Sequence, residues 1–145
     1  MKGLHHVEMY VADLARSTEF WGWFLPQLGY VPFQAWDAGR SWRLNESYLV
    51  FVQALDRHVD EPYHRRRVGL NHLAFWAESR DQVNALTEQV RARGLPVLYE
   101  DRHPYAGGPD HYALLGGVGG PQSRGCQCGT MRTRSAPRTR RVALP

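Results

Sequence analysis

The pattern Gly-Leu-X-His occurs twice in this chain, at Gly3–His6 and at Gly69–His72. Each copy opens an alternating stretch that runs straight into a helical pattern: His6 to Val11 before Leu14–Leu25, and His72 to Ala77 before a segment capped by Ser79. Alternation places side chains on two faces of a strand, and a 3.6-residue period places them on one stripe of a helix. A strand-helix unit used twice predicts an internally duplicated α+β fold. It also predicts that His6 and His72 occupy matching strand positions.

The first unit reads as a strand over Leu4–Val11, with Leu4, His6, Glu8 and Tyr10 on one face and His5, Val7, Met9 and Val11 on the other. Asp13 stands at the N-cap of a helix whose Leu14, Ser17, Phe20, Trp21, Phe24 and Leu25 share a face, and Pro26 and Gly29 end it. Strands are predicted at Tyr30–Trp36, Ser41–Leu44 and Tyr48–Ala54, with turns at Asp37–Arg40 and Asn45–Ser47. The result is a β-α-β-β-β module over residues 3–54. A polar linker, 55–68, carries Arg65-Arg66-Arg67, for which a solvated loop is a sufficient reading.

The second module, 69–119, has a strand over Gly69–Ala77, then Ser79 with Gln82 as a capping box. Val83, Leu86 and Val90 form a buried stripe as far as Gly94. Strands over Leu95–Glu100 and His111–Leu115 follow, separated by a Pro/Gly-rich loop, and one more strand is due where the pattern stops. At 145 residues and 43% hydrophobic, the chain is expected to form one domain over 1–119 with one shared core.

Charge divides the chain at the same place. Residues 1–119 carry 12 Lys and Arg against 14 Asp and Glu, and residues 120–145 carry six Arg and no acid, so the net +4 belongs to the tail. A nucleic-acid-binding domain carries its positive charge on a folded face, so nucleic acid is not the expected partner. The tail has no periodic apolar residues to offset the entropy of ordering, which predicts disorder over 120–145. Its Arg, Gly, Pro, Ser and Cys content is what GC-rich DNA yields in a wrong frame. Codons can be chosen for Gly116–Cys126 that, read one base over, give Val-Glu-Ser-Glu-Asp-Pro-Arg-Val-Glu-Val, an acidic turn and strand; a frameshift near Leu115 and a natural basic tail are the two readings. No apolar run reaches the length of a membrane span and the start has no signal pattern, so a cytoplasmic protein is expected. Cys126 and Cys128 lie too close together to staple distant parts of a fold.

Imidazole binds Zn, Fe, Ni and Mn ions well, and two strand histidines facing a cleft supply two ligands of a site that a carboxylate would complete. Glu8 shares a face with His6 but lies roughly 6–7 Å further along the strand, from the ~3.3 Å rise per residue. From spacing alone, hydrogen-bonded structural histidines explain His6 and His72 as well.

The stretch Leu4–Ser17, with Phe20-Trp21 and Leu28-Gly29, resembles the opening of the vicinal oxygen chelate superfamily, which includes glyoxalases, bleomycin-resistance proteins, fosfomycin-resistance enzymes and extradiol dioxygenases. Gly69–Trp76, Val90–Gly94 and Pro96–Glu100 resemble its second module, so the resemblance covers about residues 3–115. It implies two βαβββ modules around a cleft and a divalent metal (Zn, Ni, Mn or Fe) held by His6, His72 and a last-strand Glu. No Asp-Pro-Asp-Gly-X-X-X-Glu-like stretch exists here, so that strand is expected to be altered or missing, and the fourth strand offers only Gln53. The implied chemistry is of glyoxalase (lyase) or dioxygenase type, the metal chelating two neighbouring oxygens of a small organic substrate. The alternative is a non-catalytic drug or metabolite binder of the bleomycin-resistance type.

His111 and Tyr112 are the candidate catalytic side chains, and Tyr105, His103 and Trp76 the candidate pocket residues, with loop packing as the competing explanation for that loop. Trp21, Trp23, Phe24, Trp36, Trp42 and Trp76 are candidates for a stacking cavity, though such residues are more often core. Trp23 lies off the buried face of its helix and is the candidate for a homodimer interface, since members of the family frequently dimerise.

Overall fold

The computed structural model describes residues 3–60, 63–117 and 128–133, the last segment and residue 117 as backbone. Strand β1, His6–Val11, buries Met9 and Val11 and leaves His6, Glu8 and Tyr10 exposed, as its alternation requires. Asp13 caps α1, Leu14–Phe24, its carboxylate accepting from the Arg16 amide at 2.9 Å. A 3₁₀ turn, Leu25–Leu28, follows, and Gly29 at φ 82° makes the left-handed exit. β2 (Val31–Trp36), β3 (Gly39–Leu44) and β4 (Ser47–Gln53) form two hairpins. β4 then returns parallel to β1, giving the order β1-β4-β3-β2.

The second unit begins later than its alternation suggested. β5 is Leu73–Ala77, so His72 stands in the loop just ahead of the strand rather than in it. Ser79 and Gln82 form a reciprocal box at the start of α2, Arg80–Ala92: Ser79 accepts from the Gln82 amide at 3.1 Å, and Gln82 accepts from the Glu78 amide at 2.7 Å. Val83, Leu86, Thr87 and Val90 are the buried stripe.

The strand expected over Leu95–Glu100 does not form. That segment makes a single antiparallel bridge, Val97 to Gly116, with the Leu98 amide donating to the Leu115 carbonyl. Pro96 has no amide to donate and Tyr99 turns into the left-handed region at φ 57°, so the ladder cannot extend in either direction. The strand predicted over His111–Leu115 is found as β6, Ala113–Gly117.

The last strand is altered, as expected: its place after β6 is taken by residues 128–133, within the segment assigned to the tail. β7, Cys128–Thr133, lies parallel to β5 and antiparallel to β6, giving the order β5-β7-β6. The rest of the segment expected to be a disordered tail lies outside the described residues.

The two sheets make a curved, open mixed sheet with both helices packed on it. Buried residues of both units form one cluster: Trp21 is fully buried, stacks on Phe51 of β4 with centroids 5.0 Å apart, and lies 6.2 Å from Phe75 of β5. Trp42 is buried at 5.7 Å from Phe51. Trp21 and Trp42 therefore belong to the core and not to a stacking cavity. Trp23 is also engaged within the chain, half-buried beside Phe20 with the Arg93 guanidinium 4.2 Å above its ring. Its position off the main helical stripe is thus explained by the contact between α1 and the end of α2. No helix among the described residues is long and apolar enough to cross a membrane.

Candidate functional site

The register of β1 and β4 sets His6 beside Tyr48, and the two rings stack at 4.9 Å and 8°. Because Met9 and Phe51, also paired, point into the core, His6 and Tyr48 belong to the face turned away from the helices. Tyr48 in turn meets Phe33 at 5.3 Å, and Arg43 lies over Phe33 at 4.6 Å. Trp36 folds across Gly39 on the same face, so close that a Cβ on Gly39 would lie 2.0 Å from the indole. Tyr10, Phe33 and Trp36 remain 65%, 41% and 41% exposed, and on the second sheet Trp76 is 59% exposed. The outer face is therefore an aromatic wall with the Arg43 guanidinium, His6 and the Glu8 carboxylate set into it.

Each histidine of the repeated motif is tied to the residue before it. His72 Nδ1 lies 2.7 Å from Asn71 Oδ1, and the Asn71 amide nitrogen donates to the Arg65 carbonyl at 2.8 Å. The carbonyl fixes which end of the amide faces His72, so His72 donates from Nδ1, and the neutral ring then carries its lone pair on Nε2. In the first copy His5 Nδ1 and His6 Nδ1 are 2.9 Å apart, one of them carrying the proton. The X of Gly-Leu-X-His is a side chain that holds the ring after it. Neither Tyr48 nor Asn71 was singled out from the sequence; the recurrence of a polar X was the available signal for Asn71, and nothing short of the β1–β4 register identifies Tyr48.

The remaining sequence candidates lie elsewhere. β6 runs antiparallel to β5, so residues 111 and 112 sit at the end of the sheet away from His72. The Tyr112 hydroxyl donates to Asn84 Oδ1 at 2.7 Å, Arg80 lies over its ring at 4.9 Å, and Tyr105 meets it edge-on at 5.4 Å. These contacts hold Tyr105 and Tyr112 against α2. His111 packs over Gly107, whose added Cβ would lie 3.3 Å from His111 Cβ. His103 is half-buried near Arg91, Glu88 and Glu100; burial lowers its pKa from the ordinary value, and the Arg91 charge adds to this. The direction of β6 thus separates His111 and Tyr112, and Tyr105 with them, from His72.

Gln53 is a staple at the far end of β1 from His6. It accepts from the Leu14 amide at 2.9 Å and donates to the Ala12 carbonyl at 3.0 Å, holding the turn into α1. Among the described residues no three His, Cys, Asp or Glu side chains come together as a metal ion would require. β7, which occupies the place of the expected last strand, reads Cys-Gly-Thr-Met-Arg-Thr and brings no carboxylate. Among the described residues, His6 and His72 lack the last-strand carboxylate of the metal centre implied by the resemblance, and Glu8, on the face of His6, does not complete a group of three ligands.

The family model for the glyoxalase/bleomycin resistance protein/dioxygenase superfamily matches residues 5–114. YqjT of Bacillus subtilis (strain 168), itself uncharacterized, is 56% identical over 112 residues, which are 77% of this chain and 88% of that protein. A Bacillus halodurans protein solved as a candidate glyoxalase is 46% identical with a TM-score of 0.83, over 90% of this chain and 95% of that one. The Listeria monocytogenes fosfomycin resistance protein FosX shares the fold at a TM-score of 0.61 and 15% identity, over 93% of each chain. The family match stops at Leu114, where the composition changes. This chain belongs to the glyoxalase/bleomycin resistance protein/dioxygenase superfamily.

Proposed function

We propose that this chain binds a small, flat organic molecule on the open face of its curved sheet, in the manner of a drug- or metabolite-sequestering member of the superfamily. The observation that carries the reading is the aromatic wall: Phe33 and Trp36 with His6 on one sheet, and Trp76 on the other, stand exposed, with half-buried Tyr48 stacked between His6 and Phe33. Aromatic walls with few polar groups are how small-molecule sites gain affinity and orientation. The test is titration with flat aromatic probes followed by tryptophan fluorescence. Quenching that is lost in Trp36→Ala and Trp76→Ala is expected; quenching indifferent to both substitutions would refute the reading.

One observation favours a second reading, a metal-dependent glyoxalase- or dioxygenase-type enzyme with His6 and His72 as two of its ligands. The Asn71 contact leaves His72 with its lone pair on Nε2, the state in which an imidazole binds Zn, Ni, Mn or Fe(II). Elemental analysis of the purified protein beside His6→Ala/His72→Ala decides it. About one metal per chain, lost in the variant, would establish the metal site that the enzyme reading requires, and no metal after incubation with each of the four ions would leave the binder.

A further inference from the structure

The linker between the two units is a strap with a charge pattern that neither reading uses. Arg65 is held at both ends: its carbonyl accepts from Asn71, the residue that holds His72, and its guanidinium donates to the Tyr99 hydroxyl at 2.8 Å. Arg102 covers the Tyr99 ring at 4.7 Å and the Arg65 guanidinium lies 5.4 Å from the same centroid. Arg66 also acts on the phenol, and together with Arg65 it lowers the Tyr99 pKa, the hydrogen bond from Arg65 being the larger cause. Among the described residues, the one carboxylate within ion-pair distance of these three arginines is Asp101, 3.7 Å from Arg102 Nε. Tyr99 holds this position in the left-handed region at φ 57°, a backbone conformation that costs a tyrosine free energy.

The Arg65 and Arg102 guanidiniums lie on one phenol with Arg66 next in the strap, and Asp101 offsets only one of these charges, so the group carries a net positive charge that favours an anion. The phenol oxygen accepts from Arg65 and keeps its own proton to donate, and a polarised hydroxyl is a stronger donor. Guanidinium forks match the paired oxygens of a phosphate, sulfonate or carboxylate. From this arrangement we infer that Arg65, Arg66, Arg102 and the Tyr99 hydroxyl form an oxyanion site that receives the anionic group of the ligand bound beside His72. The placement follows from the strap: one amide, Asn71, bonds both His72 and the backbone of Arg65, so His72 and two of the three arginines, Arg65 and Arg66, are positioned by the same nine residues, 63–71, and the Arg65–Tyr99 hydrogen bond ties the rest of the cluster to them. The oxyanion site itself stands on the arginines and Tyr99; its assignment to the same ligand rests on the small-molecule reading above.

The test uses the full chain with two probes, inorganic phosphate and phenyl phosphate, each titrated against chloride at matched ionic strength and read by ³¹P NMR line broadening and thermal shift. Both probes are expected to bind at millimolar concentration or tighter, and to bind several-fold more weakly to Arg66→Gln, Arg102→Gln and Tyr99→Phe. None of these three side chains packs in the buried core, so the fold is expected to survive, which far-UV circular dichroism checks. No phosphate effect beyond chloride overturns the site. Undiminished binding in an Arg66→Gln/Arg102→Gln variant also overturns it, since the phosphate would then sit elsewhere, the six arginines after residue 120 being the obvious place. Phenyl phosphate binding more tightly than phosphate, with that advantage lost in His6→Ala/His72→Ala, supports the shared ligand. Equal binding of the two probes leaves an oxyanion site and refutes its connection to the cleft. Failure of the aromatic-probe titration while inorganic phosphate still binds would separate the two proposals.

Discussion

Gly39→Ala tests the aromatic wall with the smallest available perturbation. Gly39 has no positive φ, so alanine is tolerated by the backbone, and the whole effect comes from one methyl group. That methyl would lie 2.0, 2.4 and 2.6 Å from three atoms of the Trp36 indole, whereas ordinary contact begins near 3.4 Å. The ring must therefore move by about 1.4 Å or more. Overpacking in a closed core costs about 1–3 kcal/mol, but Trp36 is 41% exposed and can swing outward, which puts the cost at the lower end, about 1 kcal/mol. For a chain of this length that lowers Tm by about 2–4 °C. Ligand binding should suffer more than folding. An aromatic pair contributes about 0.5–1.5 kcal/mol beyond its area, so losing the Trp36 platform weakens a stacked probe by roughly 2- to 12-fold. Tryptophan quenching by a flat aromatic carboxylate, beside Trp36→Ala as reference, measures it. Probe affinity within a factor of two of wild type in both variants would refute the placement of the ligand on this face.

Four further outcomes follow from the geometry. Trp21→Ala removes about 200 Å² of buried surface at the junction of both units, and should cost about 3–5 kcal/mol and lower a single unfolding transition; two separate transitions by urea-monitored circular dichroism would contradict one shared core. His103 has its pKa lowered by burial, so the unfolded chain binds more protons as pH falls below about 6.5 and stability declines there. His103→Gln should flatten that decline between pH 7 and 5 in denaturant titrations, and an unchanged slope would show that other groups dominate. Asn71→Ala should release His72 from its single tautomer, visible as converging ¹⁵N shifts of Nδ1 and Nε2, and a ring spectrum unchanged from wild type would mean that Asn71 does not hold it. We also propose that residues after about Leu115 are a wrong-frame product: the natural gene product should depart from this sequence there, and an intact mass equal to that of these 145 residues would exclude it.

The local elements were legible because each is dictated by neighbouring residues. Asp13 and Ser79 cap the two helices as their spacing requires, the alternation of β1 exposes His6 and buries Met9, and the turn at Asn45 uses a residue that tolerates φ 54°. The strand over Leu95–Glu100 failed for a reason also local, Pro96 and Tyr99, which its apolar residues concealed. Candidate chemistry was less legible. His103, Tyr105, His111 and Tyr112 cluster in sequence beside a glycine-rich loop, yet the antiparallel run of β6 carries Tyr112 to Asn84 and away from His72.

By itself the sequence determined the duplicated strand-helix unit, the family, the two histidines of Gly-Leu-X-His and the boundary where family likeness ends, because each is written in local periodicity or direct residue identity. Only the tertiary structure decided which side chains meet. Tyr48 reaches His6 across 42 residues, Arg65 reaches Tyr99 across 34, and Trp21 joins Phe51 to Phe75, because strand register and the packing of two sheets on one core set distances that no sequence spacing encodes.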